Sequence, residues 1–137
     1  MNTLIITKGL PASGKSTWAK EQIKCFPNKY KRVNRDDLRD MMDNGIYSEK
    51  NEKFLLKIRN LAILTALKDK YDVIIDDTNL QPKQEQDLRF LVLNIANVVV
   101  KDFRDVSLFE CIKRDEKRIK KVGKEIICDM YYKWINI

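Results

Sequence analysis

Residues 9–16 read GLPASGKS and match the pattern GxxxxGK[ST]. The four residues before this loop, LIIT at 4–7, are apolar and mostly β-branched, which indicates a buried strand. The residues after it, 17–23, are typical of a helix. A strand, this loop and a helix together form the context in which the pattern binds the phosphates of a nucleoside triphosphate. The alternative is a glycine-containing turn followed by an exposed lysine.

Each position of the loop has a physical role in phosphate binding. We expect Gly9 and Gly14 to take backbone torsions closed to other residues and to let the chain approach the phosphates. Successive backbone N–H groups and the first helical turn then attract the anion. We expect Lys15 to reach the β- and γ-phosphates and the Ser16 hydroxyl to ligate Mg²⁺. The candidate ATP contacts here are Gly9, Ser13, Gly14, Lys15, Ser16 and Thr17.

Composition limits the class of protein. The chain has 137 residues, which predicts one domain over 1–137. It contains no histidine, so a general base has to be Asp, Glu, Lys, Tyr or Cys. Cys25, Cys111 and Cys128 lie far apart, which argues against a zinc site or disulfides and favours buried or half-buried thiols in a reducing cytosol. We expect no signal peptide, no membrane span and a cytoplasmic protein.

The net charge of +7 favours a polyanionic partner. Many small basic proteins exist, however, and ATP alone can exploit positive charge. Charge by itself therefore only slightly favours nucleic acid.

Apolar runs and helical periodicities alternate along the chain. Strands are predicted at residues 2–7, 30–34, 71–76 and around 98–100. Helices are predicted at 15–25, 37–42, 48–70, 82 to about 95, 107–118 and 124–134. The alternation predicts an α/β fold of three layers, with a short parallel sheet of about four strands flanked by helices. Ligands in such sheets bind at the carboxyl ends of the strands.

Two further expectations concern packing. In the longest helix, we expect Ser48 to be the N-cap. Its buried stripe is predicted to consist of Leu55, Ile58, Leu61, Ala62 and Thr65. Most of the aromatic residues are expected in the core.

The segment NRDDLR, residues 34–39, follows the second predicted strand. Asp36 can accept the proton of an attacking hydroxyl. Arg39 lies three residues later on the same helical face and can hold an anionic group of the acceptor. The alternative is that Asp36 or Asp37 caps the next helix and Arg39 pairs with a carboxylate.

The segment DDTN, residues 76–79, follows the third predicted strand. An acidic residue here corresponds to the Walker-B position, which holds Mg²⁺ or its water shell. Because neighbouring side chains alternate on a strand, only one aspartate is expected to face the loop, and we favour Asp77 over Asp76. Thr78 can add a hydroxyl contact to substrate. The alternative is a polar turn leading to Pro82.

Arg114 and Arg118 are four residues apart in a basic segment near the C-terminus. On a helix they would lie one above the other and could close over the triphosphate as a helical lid. For the lysines of this segment, a solvated charged helix is the favoured interpretation.

The set GLPASGKSTWA, NRDDLR, DDTNL and KRDEKR resembles the kinase domain of phage-type 5′-hydroxyl polynucleotide kinases, in order and spacing over nearly the whole chain. The resemblance implies transfer of the γ-phosphate of ATP, with Mg²⁺, to the 5′-OH of DNA or RNA. It implies that Lys15, Asp36 and Arg118 are catalytic, and that Arg114 is a second lid arginine at the ATP phosphates. Arg39 would hold the acceptor's 3′-side phosphate, and Asp77 would be the acidic residue of the third-strand motif.

Two other functions remain open. One is a P-loop kinase for a small acceptor such as a nucleoside or sugar, and the other is a non-catalytic ATP-dependent or nucleic-acid-binding module. The partners expected are ATP and 5′-OH ends of DNA or RNA in end repair. A homo-oligomer or a separate phosphatase or ligase partner is also possible.

Overall fold

The computed structural model describes residues 1–136. Its sheet has four parallel strands in the order β2-β3-β1-β4. The strands are β1 Thr3–Lys8, β2 Tyr30–Val33, β3 Asp72–Ile75 and β4 Asn97–Asp102. Ile6 of the central strand lies opposite Ile75 on one side and Val100 on the other. The predicted α/β class, strand number and parallel arrangement are confirmed.

Helices flank the sheet. They are α1 Lys15–Cys25, α2 Arg35–Asp43, α3 Glu49–Lys68, α4 Pro82–Leu91, α5 Leu108–Glu116 and α6 Lys124–Met130, and a π-helical turn, Tyr131–Ile135, follows α6. Ser48 caps α3 as predicted, since its side chain accepts the N–H of Asn51. Ser107 caps α5 in the same way. No helix within residues 1–136 is both long and apolar enough to cross a membrane.

Two predicted helices are too long. The helix that starts at Pro82 ends at Leu91 rather than near Ile95, because the chain turns there and Asn94 takes a φ of 63°. The helix that starts after Ser107 ends at Glu116, so Arg118 lies beyond it. A short irregular segment then leads to α6.

The main core lies between the sheet, α3 and α4. Its buried residues are Leu4, Ile6, Val33, Ile63, Ala66, Leu67, Val73, Ile75, Leu88, Val92 and Ala96. A second cluster joins the phosphate loop to α5 and α6, which together with the segment between them form the lid; its buried residues are Leu10, Leu80, Cys111 and Ile127. The lid therefore packs on the loop itself.

The predicted stripe of α3 is wrong in part. Leu61 is 61% exposed and Thr65 is exposed, whereas Leu55 is buried as predicted. The buried face also contains Glu52 and Arg59, two charged residues that a search for apolar periodicity passes over.

Two expectations about single residue types are also wrong in part. Half of the aromatic side chains are exposed rather than in the core: Phe26, Tyr47, Phe54, Phe90, Phe109 and Tyr132. Cys25 is exposed, although Cys111 is buried and Cys128 is half-buried as expected.

Candidate active site

The carboxyl ends of the strands open into one cleft of about 1170 Å³. The phosphate loop and the start of α1 form its floor, and residues from α2, the end of β3 and the lid form its walls. Among the predicted site residues, those lining the cleft are Gly14, Lys15, Ser16, Thr17, Asp36, Arg39, Asp77, Thr78, Arg114 and Arg118. The fold thus brings the donor and acceptor candidates together around one space. Gly9 and Ser13, the other two predicted loop contacts, are buried.

Two residues give the loop its curvature. Gly14 has a φ of 103°, which glycine adopts without steric cost. Ala12 has a φ of 64°, a left-handed conformation that is costly for a residue with a Cβ. The sequence pattern does not specify a residue type at position 12, so the turn at Ala12 was not predicted.

Gly9 is required for space rather than for torsional freedom, so the expectation of a special torsion there is wrong. Its φ is not in the left-handed region. A Cβ at this position would lie 2.7 Å from Ser13 Oγ and 2.8 Å from Phe103 Cβ. The Gly9 N–H donates to the Thr78 carbonyl oxygen at 3.1 Å, which ties the loop to the end of β3.

Lys15 is folded back into the loop. Its side chain is buried, and Nζ donates to the Leu10 carbonyl oxygen at 2.6 Å and to Ser13 Oγ at 3.3 Å. Burial lowers the pKa of Lys15 from 10.5 to about 8, against the opposing fields of Cys111, Asp76 and Asp77. An anion bound in the loop would favour the charged form of this amine.

The two lid arginines face the cleft from different local structures. Arg114 lies in the last turn of α5, where Nε bonds Glu110 at 3.0 Å and NH1 is 3.8 Å from the position of a Cβ on Gly14. Arg118 follows the helix and is 3.5 Å from Asp115. The predicted stacking of the two arginines on one helix is therefore wrong, because the helix ends between them.

Asp115 holds the lid segment in place. This buried carboxylate accepts the backbone N–H groups of Val122 and Gly123 at 3.0 and 2.9 Å. Although burial opposes ionisation, these two bonds and the charge on Arg118 leave its pKa below the usual range. The sequence shows Asp115 only as one more charge in a charged run, so this role was not predicted.

On the acceptor side, Asp36 is 72% exposed in its side chain and stands in the first turn of α2. It does not cap the helix, because the side chain of Asn34 accepts the N–H of Asp37 at 2.9 Å. The alternative in which an aspartate caps α2 is therefore wrong. The carboxylate of Asp36 instead accepts a hydrogen bond from Arg39 NH1 at 2.7 Å.

Arg39 pairs with carboxylates, as the alternative interpretation of the sequence expected. Its Nε and NH2 donate to the two oxygens of Glu52 at 2.9 and 2.6 Å. Glu52 also accepts from Arg35 NH2 at 3.1 Å, and these hydrogen bonds lower the pKa of Glu52. Glu52 thus fixes the guanidinium of Arg39 beside Asp36, with Arg39 on the cleft wall. Glu52 was missed because it lies in a segment that the sequence predicted only to be helical.

Both aspartates at the end of β3 line the cleft. Asp76 is held by Arg32 Nε at 2.6 Å and by Asn34 Nδ2 at 3.0 Å. Asp77 accepts the N–H of Arg35 through Oδ1 at 2.9 Å, and its Oδ2 is buried with no hydrogen-bond partner within residues 1–136. Burial raises the pKa of Asp77 to about 6.

The donor set suits Mg²⁺. Protein sites for this ion commonly supply one or two oxygen ligands and leave the rest to water and phosphates. Within residues 1–136 no group of three or more Cys, Asp or Glu residues is arranged to hold a metal. The Ser16 hydroxyl and the unpartnered Oδ2 of Asp77 are oxygen donors at the same cleft, and an unpartnered buried carboxylate oxygen is a position where a cation is favourable.

Comparison with known proteins places the chain in a family. The model of a family described as "AAA domain" matches residues 4–129. The chain is 32% identical over 136 residues to L-seryl-tRNA(Sec) kinase from Methanococcus maripaludis, covering 96% of this chain and 52% of that protein.

Solved structures agree on the fold. A chain of the Pnkp1/Rnl/Hen1 RNA repair complex has a TM-score of 0.86 and 32% identity, over 97% of this chain and 44% of that one. The Mycobacterium tuberculosis APS kinase CysC has a TM-score of 0.66 at 17% identity, over 85% of this chain and 69% of that one, which shows a shared fold alone. The chain thus spans about half of the length of its two more similar relatives. The chain belongs to the AAA domain family whose model it matches and has the α/β fold of P-loop kinases.

Proposed function

We propose that this chain is an ATP-dependent kinase that transfers the γ-phosphate of ATP to the 5′-hydroxyl of DNA or RNA. The observation that carries the proposal is the single cleft that has the phosphate loop on one side and the Asp36–Arg39 pair on the other. The likeness to a chain of an RNA repair complex supports a polynucleotide acceptor.

The donor side of the proposed reaction is the phosphate loop and the lid. Lys15 and the loop N–H groups bind the β- and γ-phosphates, and Arg114 and Arg118 neutralise charge on the transferring group. Thr17 lies beside Ser16 in the first turn of α1 and contributes to the same anion site. Mg²⁺, held by Ser16 with Asp77 at its water shell, would supply further neutralisation of the phosphate oxygens.

The acceptor side is the Asp36–Arg39 pair. The 5′-oxygen attacks the γ-phosphorus, the bond from that phosphorus to the β,γ-bridging oxygen breaks, and the hydroxyl proton passes to Asp36. ADP leaves with the bridging oxygen. Arg39 and Thr78 bind the acceptor, and Glu52 holds Arg39 in the orientation that reaches the 3′-side phosphate of the acceptor.

The test is transfer of labelled γ-phosphate from ATP with Mg²⁺ to matched 5′-OH DNA and RNA oligonucleotides. We expect Asp36→Asn to abolish labelling while ATP affinity changes less than about threefold, since the residue acts on the acceptor. Asp37→Asn is the matched control, because Asp37 is the exposed neighbour and its carboxylate pairs with Arg32 rather than with Arg39. Full labelling by Asp36→Asn, or none by the wild type, contradicts the proposal.

A second candidate is suggested by the 32% identity to L-seryl-tRNA(Sec) kinase. In that case the acceptor hydroxyl belongs to a serine esterified to tRNA rather than to the 5′ end of a strand. The two candidates are separated by measuring which acceptor the wild-type protein phosphorylates, seryl-tRNA(Sec) or a 5′-OH oligonucleotide. A plain nucleoside and its 3′-monophosphate test the remaining small-molecule alternative, because Arg39 favours an acceptor with its own phosphate.

A further inference from the structure

We propose that the outer face of the lid, residues 113–124, binds the phosphate backbone of a single-stranded polynucleotide beyond its 5′ nucleotide. The inference rests on the proposed function, since it assigns the surface that holds the polymer whose end enters the cleft. It adds a partner surface outside the reacting groups.

The charge of the chain is concentrated in this segment. Residues 113–124 read KRDEKRIKKVGK, with seven cations against two carboxylates. The resulting net charge of +5 is most of the +7 of the whole chain. A dense cluster of exposed cations on one segment is the electrostatic footprint expected for a nucleic-acid backbone.

Of the two acids of the segment, only Glu116 is exposed. Asp115 is buried, and its oxygens accept the N–H groups of Val122 and Gly123. Four exposed lysines have no carboxylate within 4 Å among residues 1–136: Lys113, Lys117, Lys121 and Lys124. Their charges are therefore available to a partner.

The position of the segment matches the path of an acceptor. Arg118 and Val122 of this segment line the cleft. Lys120 crosses to α2 and binds both oxygens of Asp40 at 2.6 and 2.7 Å. The lid thus reaches the helix that carries Asp36 through Lys120, and the other lysines of the segment lie within seven residues of Lys120 in sequence.

The tip of the segment favours a single strand over a membrane surface. Ile119 is fully exposed among the lysines, in a stretch that forms no helix. Membrane binding requires a broad apolar helix face, and a lone apolar side chain among cations does not supply one.

The experiment measures binding of a fluorescent 5′-OH 20-mer by anisotropy, with a non-hydrolysable ATP analogue and Mg²⁺, over a range of salt. The test variant carries Lys117→Ala, Lys121→Ala and Lys124→Ala. Its matched control removes three exposed lysines outside the lid segment: Lys24, Lys57 and Lys68. Thermal melts of both variants establish that each is folded.

Three lost phosphate contacts should reduce the slope of log K against log salt by about 2 and weaken binding about 50-fold near 0.15 M salt. The control should bind like the wild type. Phosphorylation of a nucleoside 3′-monophosphate should be unchanged in both, because that acceptor ends within the cleft.

The outcomes separate this inference from the proposed function. An unchanged salt slope in the lid variant, or equal losses in lid and control variants, overturns the inference. So does binding of phosphatidylserine vesicles by the lid lysines with no binding of the oligonucleotide. A lysine-dependent salt slope without any phosphate transfer supports the surface and contradicts the kinase.

Discussion

Binding of ATP should be accompanied by uptake of a proton at Lys15. In the free protein the amine is buried against Leu10 and Ser13, and its pKa is lowered to about 8. Below that pH the loop carries a charged amine without a counter-ion, which triphosphate would supply. The bound state should keep Lys15 protonated well above pH 9.

The size of the effect follows from linkage. With a free-state pKa of about 8, the amine is about half neutral at pH 8 and about nine-tenths neutral at pH 9, so binding takes up about 0.5 and 0.9 protons respectively. The dissociation constant should then rise about eightfold between pH 7.5 and 9, a change of about 1.2 kcal/mol. Over this range the triphosphate is fully ionised, so its own protonation contributes little.

Titration calorimetry with a non-hydrolysable ATP analogue measures this uptake. The slope of the binding enthalpy against the ionisation enthalpy of the buffer gives the number of protons exchanged. Lys15→Arg is the control, because a guanidinium stays charged throughout and should take up none. Uptake near zero in the wild type at pH 9, or the same uptake in Lys15→Arg, would refute the assignment of the proton to Lys15.

Three further predictions concern stability and are checked by thermal and denaturant unfolding. Gly9→Ala should lower the free energy of unfolding by about 1–3 kcal/mol, because the added Cβ overpacks against Ser13 and Phe103; unchanged stability would contradict this. Asp115→Ala should cost about 2–4 kcal/mol because two half-buried N–H groups lose their acceptor, and the same amides should exchange hydrogen faster. Asp77→Asn should stabilise the free protein by up to about 3 kcal/mol at pH 7.5, and by only about 0.5 kcal/mol at pH 4. The sign follows because the pKa of Asp77 is raised from 3.8 to about 6 on folding, so the wild-type protein loses stability as the pH rises through that window. A variant that melts below the wild type at pH 7.5 would contradict the prediction.

The fold could be predicted from local patterns because each pattern agrees with the others. The run at residues 4–7, the glycines of the loop and the cap at Ser48 each indicate one local structure, and the parallel order follows from their alternation. Helix ends were less predictable. Residues 92–95 read VLNI, and one asparagine among apolar residues is only a weak signal for the end of α4.

The site was predicted where side chains follow a strand or belong to the loop, since the fold brings those positions together. It was incomplete where a residue acts through a partner far away in sequence. Arg32 and Asp76 are 44 residues apart, and Arg39 and Glu52 are on different helices. No spacing rule within one helix or strand connects such pairs.

Three buried acids share one task, which is to hold the parts of the cleft in position. Asp76 joins the ends of β2 and β3 through Arg32, Glu52 joins α2 to α3 through Arg39, and Asp115 closes the lid. Each costs desolvation energy that its hydrogen bonds offset, so removing a partner from any of them leaves a buried charge.

The residues proposed to act on ATP, Mg²⁺ and the acceptor differ from these three acids in their burial and pKa values. Asp36 is exposed, and Lys15 and Asp77 are buried with their pKa values shifted toward the neutral form. A ligand that supplies phosphates and a cation would reverse both shifts at once, because the phosphates favour the charged amine and the cation favours the carboxylate. The free cleft is therefore arranged so that binding of a magnesium-bound triphosphate restores the charges that burial disfavours.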